Sequence, residues 1–107
     1  MTIIRFNHWQ EFADELQSAP PTDRIVRVTA SLRYDGRKAP YATLVAGYLC
    51  DDRIVEFVRY LGPWRCTSNG SLDRETTDML ADLRDRLEKL GYCVRSGRYH
   101  VPFMTRN

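Results

Sequence analysis

The sequence predicts a single α+β domain spanning residues 1–107: a four-stranded mixed or antiparallel sheet with two helices on one face, in the order α-β-β-β-α-β. Three observations predict it. Two stretches carry apolar residues at helical spacing, four carry β-branched and aromatic runs of strand length, and turn residues separate them. A chain of 107 residues suits one domain. It can bury roughly two-thirds of its unfolded surface, so it needs no metal or disulfide to fold.

The first helix is expected at residues 7–18. Asn7 is the N-cap and Gln10 its capping-box partner. Trp9, Phe12, Ala13 and Leu16 form one apolar stripe, and Pro20-Pro21 stops the helix. Residues 24–34 alternate. Val26, Val28, Ala30, Leu32 and Tyr34 point one way; Arg27, Thr29, Ser31 and Arg33 point the other, joined by Ile25. Asp35-Gly36 supplies the turn.

Residues 41–50 (YATLVAGYLC) and 53–61 (RIVEFVRYL) read as two further strands joined around Asp51-Asp52. Neither alternates cleanly. Leu44/Val45, Tyr48/Leu49, Ile54/Val55 and Phe57/Val58 put apolar groups on both faces, the mark of central strands covered on two sides. Gly62-Pro63 ends the run. Ser71 caps a second helix over 72–90, with Asp73 and Glu75 in its first turn and Leu72, Met79, Leu80, Leu83, Leu87 and Leu90 as its stripe. Gly91 fits the C′ position of a Schellman ending, with Tyr92 reaching back over Leu87. A last strand is expected at 92–101.

Cys50, Cys66 and Cys93 are an odd set with irregular spacing and no C-x2-C pair, which disfavours a disulfide framework. No His stands at a zinc-finger offset, so no metal and no cofactor is expected. The N-terminus lacks the charged and apolar regions of a signal peptide, and no run approaches the ~18 apolar residues of a membrane span. The expectation is a cytoplasmic protein with no membrane partner.

Net charge is +2, but it is unevenly spread. Residues 1–23 carry −3, residues 24–65 carry +4, residues 66–91 carry −2 and residues 92–107 carry +3. The helices are acidic and the strands basic. Arg27 and Arg33 share a strand face by even spacing, as do Arg53 and Arg59, and Arg98 and His100. Register decides whether the three sets meet. The first turn of the second helix, LDRETTD, has three acids to one base and repels phosphate.

No G-x-x-x-x-G-K, G-x-G-x-x-G, H-E-x-x-H or G-x-S-x-G occurs. Cys93 and His100 lie on opposite faces of one expected strand, about 23 Å apart at ~3.3 Å per residue, and cannot act together. Asp78, Asp82 and Asp85 share a helix face, where Arg74, Arg86 and Lys89 make a solvated ion-pair pattern the simpler reading than a metal site. No catalytic residue is assigned.

Two helices cover only one face of such a sheet. Apolar side chains on the other face forgo ~1.5–3 kcal/mol each if left in water. Something covers them: a second copy of the chain, its own 62–71 loop and C-terminal tail, or a foreign partner. The sequence therefore favours a small non-catalytic binding protein acting through an Arg/aromatic sheet face and the 61–66 loop. Its expected partner is another protein, including a self-dimer. The contact residues are Arg27, Arg33, Arg59, Tyr60, Trp64 and Arg65: arginines for bidentate contacts, aromatics for anchoring area. The alternative is a nucleic-acid-binding protein that adds Arg95, Arg98, Tyr99 and His100 to the same basic face.

Overall fold

The computed structural model describes residues 2–33, 41–63 and 74–99; for residues 31–33, 41, 62 and 63 it describes the backbone alone. Five strands and two helices follow one another as β1 (Thr2–Phe6), α1 (Trp9–Ser18), β2 (Ile25–Arg33), β3 (Tyr41–Cys50), β4 (Arg53–Pro63), α2 (Arg74–Lys89) and β5 (Cys93–Ser96). The sheet order is β1-β4-β3-β2-β5. The expected four-stranded α-β-β-β-α-β arrangement is thus corrected to a five-stranded mixed sheet that begins with a strand.

β1 was hidden because its partner is remote. Thr2–Phe6 pairs in parallel with Arg53–Phe57, some fifty residues along the chain. The antiparallel β2-β3-β4 meander is as expected, with Val28 opposite Ala46 and Ala46 opposite Phe57. β5 then lies parallel to β2, Val94 beside Val26. β3 is the centre of the sheet and β4 its inner neighbour, which accounts for their apolar residues on both faces.

Both helices pack on one face, called here the first face. α1 rests on β4 and β1, α2 on β2 and β5. Phe12 and Leu16 of α1 meet Leu83 and Leu87 of α2 over Val26, Val28, Ala46, Tyr48, Val55 and Phe57. The centre is aromatic: Phe12 has its ring centroid 5.8 Å from those of Trp9, Tyr48 and Phe57.

The helix ends show local chemistry at work and, once, failing. α1 starts at Trp9 behind His8, with no side-chain cap. The expected capping box does not form, and Gln10 Nε2 instead donates to Asp14 Oδ1 at 3.0 Å. α2 closes as predicted. Gly91 takes φ +95, its N–H donates to Glu88 O at 2.9 Å, and Tyr92 N–H donates to Leu87 O at 3.3 Å. The expected Ser71 cap lies outside the described residues.

β5 is shorter than the expected 92–101. It stops at Ser96, and Gly97 at φ +108 turns the chain. Gly97 N–H donates to Val28 O at 2.9 Å. From there the chain leaves the edge and lies over the second face of the sheet.

Candidate binding surfaces

The arginines are split between the two faces by the register of β4. Glu56 lies opposite Gly47, which lies opposite Arg27, so these three share the second face. Arg59 lies opposite Leu44 and so belongs to the first face. Its neighbour Tyr60 returns to the second. Arg33 ends β2 opposite Tyr41, and its side chain is among those not described. Trp64, Arg65 and His100 lie outside the described residues.

On the second face one rung of the sheet is charged from edge to edge. Arg5 of β1 stands beside Glu56, Glu56 beside Gly47, Gly47 beside Arg27, and Arg27 beside Arg95 of β5. The Glu56 carboxylate is only 10% exposed and lies 3.3 Å from Arg5 Nε and 3.9 Å from an Arg98 nitrogen. Arg27 places its guanidinium 5.2 Å from the centre of the Tyr99 ring and donates to Ser96 O at 3.4 Å. Arg95 is exposed. Tyr99 Oη lies 3.0 Å from both Asp23 Oδ2 and Ile25 O. Burial, then the Asp23 carboxylate, pushes the Tyr99 phenol up to about 12.

This face is not bare in the isolated chain. Val45, Ile54 and Val58 are buried, as are Thr43 and Glu56. Of the covers the sequence allows within the chain, residues 64–71 and the C-terminal tail lie outside the described residues; among the described residues Gly97–Tyr99 lies over this face.

On the first face a groove opens where α2 passes the end of β4. Its space is about 530 Å³, with Arg59 on one side and Arg74, Glu75, Asp78, Met79 and Asp82 on the other. A narrower cleft of about 50 Å³ shares Arg59, Met79 and Asp82 with it. Leu44 and Phe57 floor that cleft, and Trp9 and Leu83 wall it. The helix charges are mostly spoken for within the helix. Asp82 pairs with Arg86 at 3.0 Å, and Asp78 lies 3.9 Å from Arg74. Arg86 also lies 5.8 Å from the centre of the Trp9 ring. Arg59 is exposed and forms no ion pair or hydrogen bond among the described residues. Tyr60, on the opposite side of the same strand, is 59% exposed, the highest among the large hydrophobics described as exposed.

Four residues that matter here escaped the sequence. Arg5 was unplaced because β1 was unread. Trp9 belongs to the helical stripe that packs on the core, and it also walls the cleft. Glu56 did carry a signal, since a lone carboxylate inside IVEFV demands cationic partners once buried. Asp23 carries no signal in the sequence beyond its charge, and it anchors Tyr99. Of the cysteines, Cys50 is buried with an Arg53 nitrogen 3.7 Å from its sulfur, and Cys93 is exposed; neither is in a disulfide. Among the described residues no group of three or more His, Cys, Asp or Glu could hold a metal ion, and no helix is long and apolar enough to cross a membrane. No protein-family model, no curated protein and no solved structure matches the chain.

Proposed function

We propose that this is a non-catalytic binding protein that engages another protein, in the first instance a second copy of itself, at the end of β4. The observation that carries the reading is the exposed Arg59 guanidinium, without an ion pair or hydrogen bond among the described residues, between a charged groove and a narrow cleft floored by Leu44 and Phe57, with Tyr60 exposed on the reverse of the same strand. An arginine and a tyrosine side by side are the residue types that dominate protein interfaces. The narrow cleft beside the groove, floored by Leu44 and Phe57, suits an inserted side chain. Three carboxylates, Glu75, Asp78 and Asp82, against two arginines, Arg59 and Arg74, give the groove a mixed lining of net negative charge that disfavours phosphate and favours a protein there. β4 runs on through Gly62 and Pro63, two residues past the expected end of the strand, and Trp64 and Arg65, which follow in sequence, lie outside the described residues.

Light scattering behind size-exclusion chromatography tests it, over a dilution series at low and high salt, with and without an oligonucleotide. The expected result is a species of twice the 12.5 kDa chain mass that persists at high salt. It is lost in an Arg59→Glu, Tyr60→Ala double variant that still folds. A monomer at every concentration, together with an oligonucleotide complex that weakens steeply and log-linearly with salt, overturns the protein reading.

That second outcome has its own support. Arg27 and Arg95 stand directly beside each other on the second face, and like charges so placed destabilise a sheet. A phosphate between them offsets that cost. On this reading Arg95, Arg98 and Tyr99 are the contact residues.

A further inference from the structure

We propose that Gly97–Tyr99 is a self-occluding strap, a segment that opens and closes over the second sheet face without unfolding the rest of the domain. The closed strap engages the groups that the basic face would offer a ligand. Arg98 reaches Glu56, and the Tyr99 ring lies against Arg27. Beneath it are Val45, Ile54 and the Gly47 backbone. Opening frees both arginines and uncovers an apolar floor; closing withdraws them. The inference concerns the strap's own equilibrium and stands whichever partner the domain takes.

Two features make the strap separable. Among the described residues its hold is local: one backbone bond, Gly97 N–H to Val28 O at 2.9 Å; the Tyr99 phenol donating to Asp23 or Ile25 O; the Arg27 guanidinium 5.2 Å from the centre of the Tyr99 ring; and one long ion pair, Arg98 to Glu56, at 3.9 Å. It extends from β5, a four-residue edge strand paired on one side only. Segments with few buried contacts open at a small fraction of the global cost. Gly97 is the hinge. At φ +108 it takes a conformation that other residues rarely adopt, and the atom nearest to an added Cβ is the Arg27 guanidinium at 4.0 Å. An alanine there meets no clash, so its effect reports the backbone alone.

Amide hydrogen exchange on the full chain tests the strap directly. In the unmodified protein the Gly97 amide is expected to exchange much faster than the Ala46 and Tyr48 amides of central β3. Tyr99→Phe keeps the ring on Arg27 and removes the phenol's hydrogen bond; it should speed Gly97 exchange about tenfold or more. Gly97→Ala should raise the exchange of the strap amides similarly through the hinge. In both variants the β3 amides should lag far behind. If Gly97 exchanges in step with β3 in the unmodified protein, the strap opens only with global unfolding and the proposal fails. It fails equally if neither substitution changes Gly97 exchange.

Discussion

Tyr48 is wholly out of water, and its hydroxyl finds no hydrogen-bond partner among the described residues. Burial, with Glu15 second, pushes its phenol well above the ordinary range. An unsatisfied buried hydroxyl costs roughly 1–3 kcal/mol. Tyr48→Phe keeps the ring against Phe12 and removes the orphan. We expect it to raise unfolding stability by about 1 kcal/mol, read as a higher urea midpoint at unchanged slope. A lower midpoint would mean that the hydroxyl has a partner in solution. Tyr99 is the second residue-scale case, with a pH signature. Its phenol moves from 10.0 to about 12 on folding, so the folded state holds the proton more tightly. That stabilisation is fully present below pH 10 and disappears as pH rises through about 12. Tyr99→Phe should therefore flatten the alkaline arm of the stability profile relative to the unmodified protein, and leave its shape near pH 7 unchanged. An alkaline arm identical in both would show that Tyr99 titrates freely.

At the scale of elements, legibility follows the distance over which the causes act. The stripe Trp9, Phe12, Leu16 and the Gly91 ending of α2 are local and were readable, as was the β2-β3-β4 meander with its short Asp51-Asp52 turn. β1 was not. TIIRF is β-branched enough to be a strand, but its ladder is made with residues 53–57, and a parallel partner leaves no turn signal in the sequence. The end of β5 was half legible: Gly97 is a break inside a strand pattern, and its positive φ turns the chain onto the sheet. Side-chain parity holds in β4, where Arg53 and Arg59 share a face, whereas Arg98 lies beyond the end of β5 at Ser96, so the even spacing expected to align it with His100 does not apply. The relation between strands was out of reach. It puts Arg59 behind the sheet with the helices and Arg27 in front, because Glu56, not Arg59, falls on the Arg27 rung. A basic surface inferred by pooling all the arginines is therefore two surfaces, one with a groove and one with a charged rung.

For the whole molecule, the apolar residues on both sides of β3 and β4 imply two buried layers on one sheet. The first is the aromatic core under the helices. The second holds Val45, Ile54 and Val58, and its burial in a single chain is what distinguishes this fold from a sheet waiting for a partner to cover it. Stability measurements separate the two cases. Ile54 is 1% exposed. If the second layer is a true core, Ile54→Ala costs about 2–5 kcal/mol, as for any buried aliphatic truncation. That is a large part of the roughly 5–15 kcal/mol a domain of this kind possesses. If the face is open in solution, the same substitution costs no more than a surface change, within about 0.5 kcal/mol. Urea unfolding followed by tryptophan fluorescence and circular dichroism reads the answer, and we expect the large value with the two probes coincident. Concentration adds the deciding control. A cost that is the same at low and high protein concentration places the cover within the chain, whereas one that grows with concentration places it in a second copy. Self-association at the end of β4 would then be superimposed on a monomer already closed on both faces.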